Sequence, residues 1–302
     1  MSKNLLHKTC YYLWWTYQCK FHKRKIPLTS SLILTDKCNL KCQHCTVANL
    51  GYAESSYKDV IKDIRTLYNM GSRMLVITGG EPFLWEDGEY RLNNVVREAK
   101  RLGFFRIVVC TNGTFELKSD ADYLWVSLDG FPKEHNTIRG DVYGDVIHNI
   151  SQSNHEGIYI NFTISKVNLM DLEDSADVVL NCRDIRGVLF HLCTPYIGSD
   201  ETIMLDEEER NIAINKLQRI KKRHPTKVSN TFDGINLLKS NRWERPIWAS
   251  IVINQGKISP CCCRKGIYDS DVCLKCGCSP AVETLVLQRL KPLAIIENLR
   301  FL

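Results

Sequence analysis

The chain has 302 residues, 44% of them apolar and 25% charged, a composition that supports a sizeable folded core and excludes a disordered or low-complexity protein. Its net charge of +6 is no larger than the local excess in residues 1–28, where Lys3, Lys8, Lys20, Lys23, Arg24 and Lys25 stand without one acidic residue. The remainder is nearly balanced, so a distributed nucleic-acid-binding face is not expected.

Residues 1–28 read as a basic aromatic arm. Within residues 5–27, Tyr11, Tyr12, Trp14, Trp15, Tyr17 and Phe21 lie beside the basic run KFHKRK. That composition suits a segment at a lipid headgroup boundary, and it equally suits a helix packing its aromatics across the fold with its bases solvated. The arm lacks the apolar stretch and small-residue site of a cleavable signal, and no apolar run is long enough to span a bilayer. The expected location is therefore the cytoplasm, and on the first of these two readings the arm is a peripheral contact to the membrane's cytoplasmic face. There the 14 cysteines are better read as metal ligands than as a disulfide framework.

From residue 29 two signals alternate. Short apolar runs at SSLILTD, RMLVITGG, FRIVVCTNG, YLWVSLDG, IYINFTIS and GVLFHLCTPY have the length of strands buried on both faces of a parallel sheet. Helical patterns separate most of them. SSYKDVIKDIRTLYNMG has a serine cap, apolar residues at helical spacing and a terminating Gly71, and RLNNVVREAKRLG ends likewise at Gly103. YGDVIHNISQSNHEG and NLMDLEDSADVVLNC follow. LDEEERNIAINKLQRIKKRH then carries acids at its start and bases at its end, as the helix dipole favours. Six βα units predict a parallel α/β architecture, either a partial barrel or an open doubly wound sheet, with function at the C-terminal strand ends. The polar motifs fall at such ends: three cysteines after the first strand, GGEP after the second, TNG after the third and SLDG after the fourth.

The first motif, TDKCNLKCQHC, sets Cys38, Cys42 and Cys45 within eight residues. A structural zinc site needs four protein ligands, and no fourth cysteine or well-spaced histidine follows; His44 is adjacent to Cys45 and badly placed to share its metal. Three thiolates leave one metal corner open, which an iron–sulfur cluster can offer to an exogenous ligand.

This CxxxCxxC pattern resembles the signature of the radical S-adenosylmethionine (radical SAM) superfamily, and the resemblance extends through GGEP, TNG, SLDG and HNTIRG over roughly residues 30–195. It implies a partial (β/α)6 barrel of the TIM type. Cys38, Cys42 and Cys45 would hold a [4Fe–4S] cluster whose free iron chelates S-adenosylmethionine; reductive cleavage would yield a 5′-deoxyadenosyl radical, with electrons from a flavodoxin or ferredoxin. Gly79 and Gly80 would admit the methionine moiety closely, Glu81 would sit near its ammonium, and Pro82 would stiffen the turn. Thr111, Asn112 and Ser127 suit the ribose or the carboxylate, Arg139 a carboxylate or substrate clamp, and the backbone at His44 the adenine. Asp129 joins this set, although LDG is also a turn signal.

A second group, Cys261, Cys262, Cys263, Cys273, Cys276 and Cys278, occupies eighteen residues and reads as a metal site. Its placement resembles the SPASM or Twitch extensions of radical SAM enzymes, without reproducing their spacings, and fits one auxiliary iron–sulfur cluster or a zinc. Cys110 and Cys193 lie in apolar strand runs as core thiols or hydrogen donors, Cys193 beside Tyr196 near the expected mouth. The expected divisions are the arm at 1–28, the barrel at 29–225 and a cysteine-rich extension at 226–302. The substrate stays open between a lipid or isoprenoid, a peptide and a small metabolite. A zinc-stabilised scaffold protein is the competing reading, but it leaves GGEP unexplained.

Overall fold

The computed structural model describes residues 3–196, 198–260 and 270–291, together with Leu293 and Glu297. Helix α1 (Lys3–Lys20) precedes strand β1 (Thr29–Thr35), then come α2 (Tyr57–Asn69) and β2 (Met74–Gly79). A two-stranded ribbon, β3 (Glu86–Asp87) and β4 (Tyr90–Arg91), leads into α3 (Leu92–Leu102) and β5 (Arg106–Thr111). Next are β6 (Tyr123–Ser127), α4 (Pro132–Arg139), α5 (Tyr143–Ser151), β7 (Ile158–Ile164), α6 (Leu172–Asn181) and β8 (Gly187–Leu192). The remaining elements are α7 (Glu207–Arg223), α8 (Phe232–Ser240), β9 (Ser250–Asn254), β10 (Lys257–Pro260), α9 (Ser270–Leu274) and α10 (Ser279–Gln288).

Local chemistry sets the helix ends. Ser56 caps α2 by accepting from the Asp59 amide at 3.2 Å, and Gly103 closes α3 with φ +100°, a conformation that glycine adopts without steric cost. Asp206 and Glu209 form a reciprocal capping box on α7, whose last turn carries Lys221, Lys222 and Arg223.

All six sequence-predicted strands form, and they lie parallel in chain order within a sheet running β10-β9-β1-β2-β5-β6-β7-β8. The outer face packs on the helices: Leu75, Ile77, Ile107, Val109, Leu124 and Phe162 are fully buried there with Ile64, Leu67, Val95 and Val96. The inner face departs from the expectation of strands buried on both sides. Alternate residues such as Thr78, Cys110, Trp125, Tyr159 and His191 line a cavity of about 280 Å³. This mixed polar and aromatic lumen makes the sheet a partial barrel rather than a flat doubly wound one.

The segment after residue 226 completes the wall. Strand β9 adds to β1 in parallel, pairing Thr29 with Ser250 through Ile33 with Asn254, and β10 folds back on β9 antiparallel. At the opposite edge, the Leu192 amide donates to the Gly277 carbonyl at 3.1 Å, and the Asn230 side chain exchanges two 2.9 Å hydrogen bonds with the Phe190 backbone. A Cβ on Gly277 would meet Leu192 Cβ at 2.3 Å, so only glycine permits this approach. Cys278, Glu283 and Leu287 then line the cavity beside β8. Strand β9 on one side, with Asn230 and Gly277 on the other, thus supplies pairing to both edges of the parallel core, which relieves unpaired edge groups.

Candidate functional site

The site is built where β1, β2, β5 and β6 end. Leaving β1, the backbone of Thr35–Lys37 lies against the end of β2: the Gly80 amide donates to the Thr35 carbonyl and the Glu81 amide to the Lys37 carbonyl, both at 2.8 Å. A Cβ on Gly79 would fall 2.2 Å from Thr35 O, where φ is +148°, and one on Gly80 would fall 2.2 Å from Lys37 O. The paired glycines are therefore required by the chain leading into the cysteine loop, a partner that the motif alone does not reveal.

Glu81 is fully buried. Its Oε1 accepts from the Thr111 hydroxyl at 2.9 Å and the Phe83 amide at 3.2 Å, and its Oε2 accepts from the Asn112 amide at 2.7 Å. Burial pushes its pKa up to about 7 against the pull of these three donors. Pro82 begins the short 3-10 turn that Glu81 caps. Glu81 and Thr111 thus tie the end of β2 to the end of β5.

Cys38, Cys42 and Cys45 occupy a half-buried loop. The Cys45 amide donates to the Cys42 carbonyl at 3.0 Å, and the Gln43 amide donates to the Ile138 carbonyl of α4 at 3.0 Å. Asn49, which the sequence reading overlooked, staples the loop by accepting from the Cys38 amide at 3.0 Å. Its φ of +56° lies where asparagine is tolerated, so the short NLG turn signal was the available clue. Burial raises the Cys38 and Cys42 thiols, the neighbouring cysteines raise them further, and Arg139 opposes this at Cys42. Among the described residues no three His, Cys, Asp or Glu side chains stand in a finished metal cage.

Two side chains and one backbone amide face these sulfurs, the amide being that of Leu40 at 3.4 Å from Cys38 Sγ. Asn112 Nδ2 lies 3.8 Å from Cys38 Sγ and donates to Asn39 Oδ1 at 2.9 Å. Arg139 Nη1 lies 3.9 Å from Cys42 Sγ, while its Nε donates to Asp129 Oδ2 at 2.6 Å. Asp129 Oδ1 accepts from the Thr163 amide at 2.7 Å, and Asn168, also missed in the sequence, donates to the Asp129 carbonyl at 3.1 Å. Burial works against the Asp129 carboxylate, but Arg139, His44, His135 and the Thr163 amide hold it below the usual range. The expected carboxylate for Arg139 is thus supplied by the chain itself. Burial depresses the His135 imidazole to about 4, and its Nδ1 accepts from the Asp129 amide at 3.2 Å. Ser127 ends β6 opposite Asn161, half-buried on the inward-facing side of that strand.

The cavity runs from this end of the barrel down its axis. His44, Cys110, Cys193, Tyr196 and Cys278 are among its walls. In the extension, Cys273 and Cys276 are buried, and the Cys278 amide lies 3.2 Å from Cys276 Sγ. Cys261, Cys262 and Cys263 lie outside the described residues. The donor set, three thiols on one loop with a guanidinium and an amide aimed at two of them, fits anionic thiolates bound to a metal cluster.

A family model described as the radical SAM superfamily matches residues 32–179. The chain is 28% identical over 181 residues to the antilisterial bacteriocin subtilosin biosynthesis protein AlbA of Bacillus subtilis, covering 55% of this chain and 39% of AlbA. It is 28% identical over 156 residues to pre-heme d1 synthase of Dinoroseobacter shibae, covering 47% of this chain and 37% of the relative. The chain therefore spans about two fifths of these curated relatives. Among solved structures, Streptococcus suis SuiB bound to the precursor peptide SuiA superposes with a TM-score of 0.67 at 14% identity, over 84% of this chain and 64% of SuiB. Native anSMEcpe with AdoMet and a peptide superposes with a TM-score of 0.60 at 14% identity, over 78% and 74% of the two chains.

Proposed function

Because residues 32–179 are a radical SAM domain, we propose that this protein is a radical SAM enzyme acting on a peptide substrate, with its cluster at Cys38, Cys42 and Cys45. One observation carries the reading. The strand-end motifs and the cysteine loop are hydrogen-bonded into a single lattice at one end of a lumen of about 280 Å³. When bound, a [4Fe–4S] cluster supplies the electron that cleaves S-adenosylmethionine into methionine and a hydrogen-abstracting 5′-deoxyadenosyl radical.

The chain's own groups position this chemistry. Gly79 and Gly80 set the cysteine loop against β2, Glu81 fixes the TNG turn, and Arg139 and Asn112 present donors to Cys42 and Cys38. Cys110, Cys193 and Tyr196 reach the lumen as candidate hydrogen donors. Cys273, Cys276 and Cys278, with ligands from Cys261–Cys263, would hold an auxiliary cluster or zinc in a SPASM-like extension, and Cys278 brings that extension to the cavity wall. A peptide is favoured over a lipid or small metabolite because AlbA is named for bacteriocin biosynthesis and both SuiB and anSMEcpe are described with bound peptides.

The test is anaerobic reconstitution followed by iron and sulfide quantitation and detection of 5′-deoxyadenosine after dithionite reduction. A brown protein that releases 5′-deoxyadenosine, and a Cys38→Ala/Cys42→Ala/Cys45→Ala variant that does not, is the expected result. A zinc-containing, iron-free protein that makes none would overturn it. For the substrate, incubation with candidate precursor peptides followed by mass spectrometry should show a mass change in a peptide.

A further inference from the structure

Helix α1 carries two aromatic faces, and the barrel uses one. Trp15 is 2% exposed, and its indole N–H donates to the Ile26 carbonyl at 2.9 Å. The Tyr11 hydroxyl donates to the Gly71 carbonyl, its ring meets Phe105 edge-on at 5.3 Å, and the Arg73 guanidinium lies 5.1 Å from its centroid. Gly71, Arg73 and Phe105 precede β2 and β5, so α1 is anchored at the end of the barrel opposite the cysteine loop.

The other face holds Leu13, Trp14, Tyr17 and Phe21, which are 67%, 44%, 51% and 68% exposed. Their spacing keeps them on one side of a helix, and the Phe21 amide still donates to the Tyr17 carbonyl at 3.0 Å, which extends that side past Lys20. The Tyr17 ring packs 5.5 Å from Phe21 and 4.9 Å from His22. Directly beside this patch Lys20, Lys23, Arg24 and Lys25 are exposed, and among the described residues none of the four is in an ion pair.

We propose that this face is a docking surface for an anionic lipid layer. Leu13, Trp14 and Phe21 enter the headgroup boundary, Tyr17 keeps its hydroxyl wet, and the four bases meet lipid phosphates. Charge selects the occupant: residues 1–28 contain six bases and no acid, which complements a continuous negative surface. An apolar patch with rings of mixed polarity suits the same boundary. Docking there leaves the cysteine loop and the barrel mouth directed away from the bilayer, open to an electron donor and to substrate.

Co-sedimentation of the full-length protein with vesicles tests this. Binding is expected to phosphatidylcholine vesicles containing phosphatidylglycerol and not to phosphatidylcholine alone, and to weaken as salt is raised. Trp14→Ser/Phe21→Ser should lower binding at least about tenfold. Lys23→Gln/Arg24→Gln/Lys25→Gln should remove the preference for the anionic lipid. Both variants keep Tyr11 and Trp15, so circular dichroism should match the wild type. Failure of the folded wild type to bind anionic vesicles, or undiminished binding by both variants, overturns the proposal. So does a wild-type dimer in light scattering that becomes monomeric on Trp14→Ser/Phe21→Ser without vesicle binding, which would assign the face to a second copy of this chain.

Discussion

Arg139 and Asp129 form a buried ion pair at 2.6 Å, 7% and 0% exposed, and the same guanidinium lies 3.9 Å from Cys42 Sγ. A charge held this way has little freedom to serve a substrate. It links the turn after β6 to the cysteine loop.

Asp129→Ala should therefore destabilise the protein strongly, because it leaves a buried guanidinium unpaired. The expected loss is about 3–5 kcal/mol, and Asp129→Ala/Arg139→Ala should cost less than the sum of the two single changes. Urea unfolding under anaerobic conditions, read as a double-mutant cycle, measures both.

Replacing Arg139 by Gln removes a positive charge beside Cys42. The midpoint potential of the reconstituted cluster should shift negative, since positive charge and donors at the sulfurs favour the reduced state. An EPR-monitored redox titration reads the shift, and Arg139→Lys should recover part of it.

Gly80→Ala should expel the cysteine loop from its seat, because the added carbon would overlap Lys37 O at 2.2 Å. Iron bound after reconstitution should fall severalfold while far-ultraviolet circular dichroism stays near that of the wild type. The helices and the rest of the sheet do not depend on this contact.

Burial raises Glu81 from its ordinary 4.5 to about 7, so between these values the folded state binds a proton that the unfolded state has released. Its contribution to stability is thus fully present below about pH 4.5 and is lost as pH rises through about 7. Burial also raises Glu283 to about 7, against hydrogen bonds from Thr231. Glu81→Gln and Glu283→Gln should each flatten part of the decline in unfolding free energy across that window, measured by denaturant titration at several pH values.

Gly277→Ala should detach the closing segment from β8, since its new methyl would press on Leu192 at 2.3 Å. Amides at Leu192 and Gly277 should exchange faster with deuterium, and residues 270–291 should become protease-sensitive before the parallel core does.

Six strands and most of the helices between them were legible in the sequence because apolar runs, caps and terminal glycines are local signals, as SSLILTD and Ser56 show; α4 was not, and the helix that six βα units imply between β5 and β6 does not form. Strand β9, SIVIN, is a short apolar run outside the βα alternation, and nothing local assigns it to the edge of β1. The motif residues were located correctly as strand-end positions, but their partners were not. GGEP alone does not show Thr35 and Lys37 against its glycines, and HNTIRG alone does not show Asp129 beside Arg139.

The sequence by itself determined the βα alternation, the gathering of polar motifs at strand ends and the close spacing of the three cysteines proposed as ligands, because each is written in residues a few positions apart. Only the tertiary structure decided that Arg139 faces Cys42 from 97 residues away and Asn112 faces Cys38 from 74. It likewise decided that β9 pairs with β1, that Asn230 and Gly277 bond to β8, and that α1 keeps one aromatic face for the barrel and leaves the other exposed. Such pairings depend on how distant segments pack, and no local periodicity encodes them.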